Sequence, residues 1–216
     1  MSGSPLEGRH LYLCTPDRPD LEAFVGECIE GGVDIVQLRE KHLEARPLIA
    51  RARLLHRVCA ERGVPFIMND RPDLAVAAEA DGVHVGQDDL PPALARQFVG
   101  LHRVVGLSTH HPDELAAARG EPVDYVSAGP VVETPTKPGR PATGAAYVAH
   151  AAEVAAAWPG GAMPFFVTGG VTPETVPALA EAGASRFVVV RYLTESDDPR
   201  AAAGRLRRAI EANVET

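Results

Sequence analysis

The strongest constraint on the fold is a regular alternation of short β-like runs with longer helix-like stretches along the chain. The helix-like stretches are rich in Ala, Leu and Arg and include residues 48–63, 145–158 and 199–213. Strands that alternate with helices pair in parallel through βαβ crossovers, so the sequence predicts an α/β protein with a parallel sheet. The eight β-like runs are residues 10–15, 34–40, 65–69, 82–86, 103–108, 124–129, 164–169 and 186–192.

Eight βα units in 216 residues predict a (β/α)8 TIM barrel at the short end of its usual size range. A doubly wound open sheet alternates the same elements and is the alternative fold. No linker or low-complexity tract suggests a second domain, so residues 1–216 are predicted to form one domain. In a barrel, chemistry lies at the C-terminal ends of the strands and on the loops that follow. Polar residues at those ends are therefore the candidate site.

Composition narrows the class of protein. Hydrophobic residues make up 45% and charged residues 23%, which is typical of a folded chain with a sizeable core. The net charge of −8 argues against a nucleic-acid partner, although it leaves anionic substrates open. The cysteines Cys14, Cys28 and Cys59 lack metal-ligand spacing and are predicted to be reduced thiols in or near the core. Neither a signal peptide nor a membrane-length apolar run is visible, so a cytoplasmic protein without a membrane partner is expected.

The second predicted strand, "DIVQLREK", carries cations at its end. Side chains alternate across a strand, so packing of Val36 and Leu38 against the helices would direct Gln37 and Arg39 into the barrel mouth. Lys41 follows just past the strand. Two cations and an amide suit a phosphate or pyrophosphate, and a salt-bridged rim is the simpler alternative.

The next two predicted strands end in acidic residues. Asn69 and Asp70 follow one strand, and Asp88 and Asp89 follow its neighbour. Carboxylates from adjacent strands can share a Mg²⁺ ion, which prefers one or two carboxylates plus waters and substrate phosphates. Helix capping by these aspartates is the structural alternative.

The later predicted strand ends offer weaker signals. "GLSTHH" supplies Ser108, which could cap a helix, and two histidines of which one is expected to be exposed. No Ser/His/Asp arrangement or HExxH motif is present, so no protein nucleophile is expected. Gly169 and Gly170, in "VTGGVT", let the backbone approach a phosphate in the place where barrels commonly bind one.

Residues 131–144, "VVETPTKPGRPATG", are too long for an ordinary connection of about 4–6 residues. Such a stretch is usually functional or disordered, and this one concentrates hydroxyl, basic and proline residues. The choice lies between a solvated basic loop and a lid over a ligand.

The ordered motifs resemble those of the thiamin phosphate synthase family. The resemblance covers the chain from "LYLCTP" to the last helix, and it is carried by "VDIVQLREK", "MNDR", "DGVHVGQDD", "GLSTH", "TPTKPGR" and "TGGVT". It implies a Mg²⁺-dependent transferase on a TIM barrel. Its substrates would be 4-amino-2-methyl-5-(diphosphooxymethyl)pyrimidine and 4-methyl-5-(2-phosphoethyl)thiazole, and its products thiamin monophosphate and pyrophosphate.

The resemblance also implies residue roles. The metal ligands would be Asp70 and Asp89, and the catalytic cations Arg39, Lys41 and Lys137, which would stabilise the charge of the departing pyrophosphate while a pyrimidine cation forms. Residues 132–143 would act as a lid. The substrate-binding set implied by the resemblance is Gln37, Leu38, Arg39, Glu40, Lys41, Asn69, Ser108, Thr134, Pro135, Thr136, Lys137, Gly170, Val190 and Arg191.

Two positions depart from the family pattern. Arg191 stands where many members have serine, and Ser127 stands where glycine is common. Three other functions stay open: a thiazole tautomerase-like relative, a phosphosugar isomerase or epimerase on the same barrel, and a non-catalytic phosphate-ligand sensor. The first has no pyrophosphate to expel, so it would not need the two aspartates together with three cations.

Overall fold

A computed structural model describes residues 4–133 and 141–214 of the chain. It contains eight strands, numbered in chain order. They are β1 (Leu11–Thr15), β2 (Ile35–Leu38), β3 (Phe66–Asn69), β4 (Gly82–Val85), β5 (Val104–Thr109), β6 (Tyr125–Ala128), β7 (Phe165–Thr168) and β8 (Phe187–Val189).

Helices follow every strand. They are α1 (Leu21–Glu30), α2 (Ala45–Ala60), α3 (Pro72–Ala77), α4 (Pro92–Val99), α5 (Pro112–Ala118), α6 (Gly144–Ala156), α7 (Val176–Glu181), α8 (Arg191–Thr194) and α9 (Pro199–Asn213). Proline occupies the first turn of several of them, where its missing N–H costs nothing because that group has no intrahelical partner. No helix in the described ranges is long and apolar enough to span a bilayer.

The eight strands form a closed, all-parallel barrel in chain order. Closure comes from the pairing of β1 with β8, in which Leu13 lies opposite Val189. The TIM-barrel prediction is therefore confirmed, and the open doubly wound sheet is wrong. The predicted last strand, residues 186–192, is too long because β8 ends at Val189 and Arg191 already begins α8.

Two apolar clusters pack on opposite faces of the sheet. One lies between strands and helices and includes Val36, Leu38 and Phe66. The other fills the barrel interior with residues from successive strands, including Ile35 and Ile67. This alternation along β2 confirms the predicted outward packing of Val36 and Leu38. The interior cluster is completed by Leu6, Tyr12, Val104, Tyr125, Phe166 and Val188.

The three cysteines form no disulfide and are buried, as predicted. Burial raises the pKa of both Cys28 and Cys59 to about 12. At neutral pH these thiols therefore stay protonated and pack as small apolar side chains.

Aspartates at the N-terminal end of the barrel stabilise the strand starts. Asp34, before β2, accepts hydrogen bonds from the backbone N–H groups of His10 and Leu11 at 2.9 Å each. Asp81 accepts from the first N–H of β3 at 2.8 Å, and Asp124 accepts from an N–H of β5 at 2.7 Å. Strand-end donors that no neighbouring strand can pair are satisfied in this way. These carboxylates are structural.

Gly106 in β5 is required by the packing of the interior. A Cβ built there would overlap the ring of Tyr125 on the neighbouring strand β6. We therefore expect Gly106→Ala to reduce the free energy of unfolding by about 1–3 kcal/mol through overpacking, measured from urea unfolding midpoints. A change of the same size in Gly120→Ala, whose added Cβ meets only Ala117 O at 3.7 Å, would contradict this explanation.

Candidate active site

A cavity of about 760 Å³ opens at the C-terminal ends of the strands. All eight strands, or the loops directly after them, contribute to its walls. Of the residues predicted from sequence, the structure brings together Gln37, Arg39, Lys41, Asn69, Asp70, Asp89, Ser108, Gly170, Val190 and Arg191. The predicted location of the site is thus where the structure has its large pocket.

Two residues of the predicted substrate-binding set do not bring their side chains to this cavity. Leu38 is fully buried in the cluster between sheet and helices, because it faces away from the barrel interior. The Glu40 carboxylate turns toward the following loop and accepts a hydrogen bond from the backbone N–H of His42 at 2.7 Å.

The charged rim lies after β2, β3 and β4. Lys41 Nζ is 3.0 Å from Asp70 Oδ2, and Arg39 lines the same cavity. Burial raises the pKa of Asp70, the neighbouring Asp89 carboxyl raises it further, and Lys41 opposes both effects. The Asp89 carboxyl therefore stands close enough to disfavour the charged form of Asp70.

The acidic residues of this rim do not cap helices. The N-caps of α3 and α4 are Arg71 and Pro91, and neither makes a side-chain capping bond. Asp70 instead has a φ of 60°, a left-handed conformation that costs a non-glycine residue about 1–3 kcal/mol. Its N–H donates to His84 O at 2.8 Å, and Asp89 accepts from Gly86 N–H at 2.8 Å. The capping explanation is therefore wrong, and Asp70 holds a left-handed backbone conformation at the rim.

Asp70 and Asp89 form a pair of neighbouring carboxylates at this rim. Within residues 4–133 and 141–214, no group of three or more His, Cys, Asp or Glu side chains is arranged to hold a metal ion. Two carboxylates nevertheless suit Mg²⁺, which keeps several waters and takes substrate oxygens as its other ligands. The neighbouring Asp89 carboxyl raises the pKa of Asp70, and a cation between the two groups would oppose that effect.

The floor of the cavity is polar and buried. Ser108 is 2% exposed, and its Oγ lies 2.8 Å from His84 Nε2. His84 Nδ1 in turn lies 2.9 Å from the hydroxyl of Tyr125. Ser108 does not cap α5, because the N-cap of that helix is His111. The His111 side chain is exposed, as predicted for one histidine of the pair His110 and His111.

The opposite wall is formed by main chain after β7 and β8. Gly169 and Gly170 have φ values of 93° and 73°, which favour glycine. A Cβ at Gly170 would also overlap Val132 of the loop after β6. Arg191, at the start of α8, has its Nε 2.7 Å from Glu195 Oε1. This wall therefore offers close backbone approach and one salt-bridged cation.

The chain segments before and after residues 134–140 are hydrogen-bonded to each other. The N–H groups of Thr143 and Gly144 donate to the carbonyls of Pro130 and Val131 at 2.8 and 3.1 Å. Val132 and Glu133 line the cavity at the loop's start. The predicted site residues Thr134, Pro135, Thr136 and Lys137 lie outside the described residues.

Sequence reasoning missed much of the floor. Tyr12, Cys14, His84, Tyr125 and Ser127 all line the cavity but were assigned no role. A signal was present, because each of them falls on the same strand face as an interior residue two positions away. In β4, for example, the alternation of "GVHV" directs His84 inward.

Comparison with known proteins agrees with this geometry. A family model described as thiamine monophosphate synthase matches residues 11–193. A relative from Mycobacterium bovis named thiamine-phosphate synthase is 44% identical, over 98% of this chain and 99% of its own length. Relatives of the same name from Saccharopolyspora erythraea and Thermus thermophilus are each 47% identical. They cover 95% and 93% of this chain and 94% and 96% of their own lengths.

Solved structures show the same likeness. A thiamine phosphate pyrophosphorylase from Pyrococcus furiosus superposes with a TM-score of 0.85 at 26% identity, covering 95% of this chain and 97% of that one. A 3-hexulose-6-phosphate synthase, at a TM-score of 0.65 and 24% identity, shares the fold alone. The family match over most of the chain and the identity to full-length relatives lead to one conclusion: the chain belongs to the thiamine monophosphate synthase family of transferases.

Proposed function

We propose that the chain joins the pyrimidine diphosphate to the thiazole phosphate in this cavity, forming thiamin monophosphate and releasing pyrophosphate. The observation that carries the proposal is the charged rim, where Arg39 and Lys41 stand beside the paired carboxylates Asp70 and Asp89. Cations alone suit many phosphate ligands. Cations combined with a carboxylate pair suit a diphosphate that arrives with a divalent metal.

Asp70 and Asp89 are the proposed Mg²⁺ ligands. When bound there, Mg²⁺ would neutralise part of the diphosphate charge and stabilise the departing pyrophosphate. Lys41 already lies 3.0 Å from Asp70, so its ammonium group is next to the position of any oxygen that shares the metal. Arg39 supplies a planar group that can bind two oxygens at once. Both cations would stabilise the leaving group more strongly as its charge develops.

The neutral floor is the proposed pyrimidine pocket. Gln37 and Ser108 are 5% and 2% exposed, so they form hydrogen bonds in a site that excludes most water. Loss of pyrophosphate leaves positive charge on the pyrimidine methylene, and the thiazole nitrogen then attacks that carbon. The protein needs no nucleophile for this step, so positioning and electrostatics supply the rate enhancement.

The wall after β7 and β8 is the proposed site of the thiazole phosphate. Gly170 permits close approach of the backbone, and Val190 and Arg191 line the same part of the cavity. Thr134, Pro135 and Thr136 are assigned here by the family resemblance, and Lys137 is assigned to the pyrophosphate. Residues 132–143 would close over both substrates and exclude water from the reactive cation. Cytoplasmic location also stays a prediction.

The rim favours this reaction over those of the rival functions. A thiazole tautomerase expels no pyrophosphate, and a phosphosugar isomerase needs only the phosphate site after β7 and β8. A sensor that had lost catalysis would be free to lose a metal carboxylate or Lys137. This chain has both aspartates in place and retains the lysine in its sequence.

The first experiment measures pyrophosphate release by the purified protein with both substrates and Mg²⁺, omitting each component in turn. We expect release that requires all three, with an equal amount of thiamin monophosphate. Isomerisation of a thiazole carboxylate phosphate without pyrophosphate release would contradict the proposal and support the tautomerase instead.

Asp70→Asn tests the metal site. The folded-state pKa of Asp70 is raised, so the stability linked to this group is present when it is protonated and is lost as pH rises through that raised pKa. Asn is neutral and also tolerates the left-handed backbone. Without metal at pH 7.5, we expect its urea midpoint to equal or exceed that of the wild type, while Mg²⁺-dependent turnover falls at least ~100-fold.

Asp88→Asn is the matched control, because Asp88 is exposed at the same rim and next to Asp89. It should leave turnover within about threefold of the wild type. Equal losses in both variants would show that rim charge in general, and not Asp70 in particular, supports the reaction.

Lys137→Ala tests the lid. We expect turnover to fall on the order of 10²-fold, because one stabilising donor to the leaving group is removed, while the unfolding midpoint changes little. Arg140→Ala removes a second cation from the same segment and serves as the control. A midpoint shift as severe as the loss of turnover would count against the assigned role.

A further inference from the structure

A chain of hydrogen bonds crosses the barrel interior beneath the cavity. Its members come from β1, β2, β4, β5 and β6, and every one of them is buried. Four of the five links join atoms 2.8–3.0 Å apart, and the Tyr12–Tyr125 hydroxyl pair is 3.1 Å apart. In order, the chain runs through Cys14, Gln37, Tyr12, Tyr125, His84 and Ser108.

The direction of the first links is set by the Gln37 amide. Its Oε1 accepts from the Cys14 thiol at 3.0 Å, and its Nε2 donates to the Tyr12 hydroxyl at 2.9 Å. An amide NH₂ can only donate, so the Tyr12 oxygen is the acceptor of this bond. The two hydroxyls are 3.1 Å apart, and a buried hydroxyl hydrogen needs an acceptor, so we direct the Tyr12 hydrogen at the oxygen of Tyr125.

The same logic sets the tautomer of His84. Tyr125 accepts from Tyr12, so its own hydrogen is directed at His84 Nδ1, 2.9 Å away. Nδ1 must then be the unprotonated nitrogen of a neutral imidazole, and Nε2 carries the hydrogen. In this tautomer the Nε2–H group donates to Ser108 Oγ, which lies 2.8 Å away, and Ser127 Oγ also donates to that atom at 3.5 Å.

Packing holds the rings of this chain in place. The Tyr12 ring meets Phe166 edge-on with centroids 5.4 Å apart, and Tyr125 meets the same ring at 5.3 Å. His84 stacks on Tyr125 with an interplanar angle of 29°. Burial raises the pKa of both phenols above the ordinary tyrosine value, so both keep the hydrogens that the chain requires.

We propose that Tyr125, oriented by Tyr12, is a positioning residue that holds His84 as the Nε2–H tautomer and thereby turns the Ser108 hydroxyl hydrogen away from His84. Ser108 then presents a donor to a heterocycle nitrogen that accepts hydrogen bonds, as a pyrimidine ring nitrogen does. The last step rests on the proposed function, since it takes the pyrimidine diphosphate as the ligand of Ser108. The tautomer itself does not depend on any substrate.

Tyr125→Phe tests the proposal, because it removes the hydroxyl and keeps the ring that packs on Phe166 and His84. The first readout is ¹⁵N NMR of the imidazole nitrogens without substrate, with His84 assigned by comparison with His84→Asn. We expect His84 to change from the pure Nε2–H form to a mixture containing Nδ1–H. The second readout is kinetic: KM for the pyrimidine diphosphate should rise roughly 10-fold, with KM for the thiazole phosphate unchanged.

Tyr147→Phe is the matched control. Tyr147 is also a buried phenol, but its hydroxyl donates to Thr109 Oγ1 at 2.8 Å, and its ring packs between sheet and helices. Its loss should change neither the His84 tautomer nor KM for the pyrimidine substrate. Tyr12→Phe, which breaks the chain one link earlier, should shift the tautomer in the same direction as Tyr125→Phe.

Three results would overturn the positioning role: an unchanged His84 tautomer in Tyr125→Phe, an equal rise of KM for both substrates, or the same changes in Tyr147→Phe. The role would also fail if Tyr125→Phe raised KM for the pyrimidine diphosphate by the same factor in the Ser108→Ala background as in the wild-type background. A shifted tautomer in a protein that releases no pyrophosphate would uphold the chain of hydrogen bonds and refute the proposed function instead. The two failures are therefore distinguishable.

Discussion

Closure of the sheet by the pairing of β1 with β8 is the constraint on which the rest of the structure depends. Because all eight strands are parallel, closure places every C-terminal strand end on one ring. Residues as distant in sequence as Cys14 and Val190 thereby line one cavity. Closure also divides the side chains of each strand between a dry outer layer and an interior that must be filled, which forces the floor of the cavity to be built from interior residues.

Both ends of this barrel carry aspartates, but the aspartates at the two ends serve opposite purposes. At the N-terminal end Asp34 accepts backbone N–H bonds that its strands leave unpaired, and Arg207 lies 2.8 Å from it. At the C-terminal end Asp70 and Asp89 lie beside each other, and Lys41 opposes the effect of burial and of the second acid on the pKa of Asp70. The first arrangement satisfies polar groups and supports the fold. The second holds charge that the folded chain alone leaves poorly compensated, as ligand sites commonly do.

The sequence sufficed for the barrel and for most of the cavity rim, because strand periodicity and strand-end position are local properties. It assigned Arg39, Lys41, Asp70 and Asp89 to one place, and the structure has them there. It does not show which side chains next to these residues point away from the cavity. The substrate-binding set implied by the family resemblance therefore contains Glu40, whose carboxylate accepts a hydrogen bond from the next loop. Side-chain direction beyond a strand end depends on loop geometry that no periodicity encodes.

The floor was missed for a different reason. Alternation predicts that Tyr12 and Tyr125 face the interior, but a tyrosine in that position is usually interpreted as a core residue. Both rings do pack against Phe166. Only the distances between strands reveal that the hydroxyls form a connected path to His84. Such contacts depend on how far each strand is staggered in the closed barrel, which is a global property.

A neutral polar floor beneath a charged rim has a physical consequence for the proposed chemistry. A full negative charge beside the pyrimidine would stabilise its cation, but it would also repel the diphosphate that must enter with it. Oriented dipoles from Gln37, Ser108 and the tyrosines would avoid that conflict, because they would hold the heterocycle without adding net charge. The carboxylates and cations of the charged rim would then meet the pyrophosphate, away from the heterocycle. This separation of dipoles below from charges above would let one small cavity bind an anion and still tolerate a carbocation.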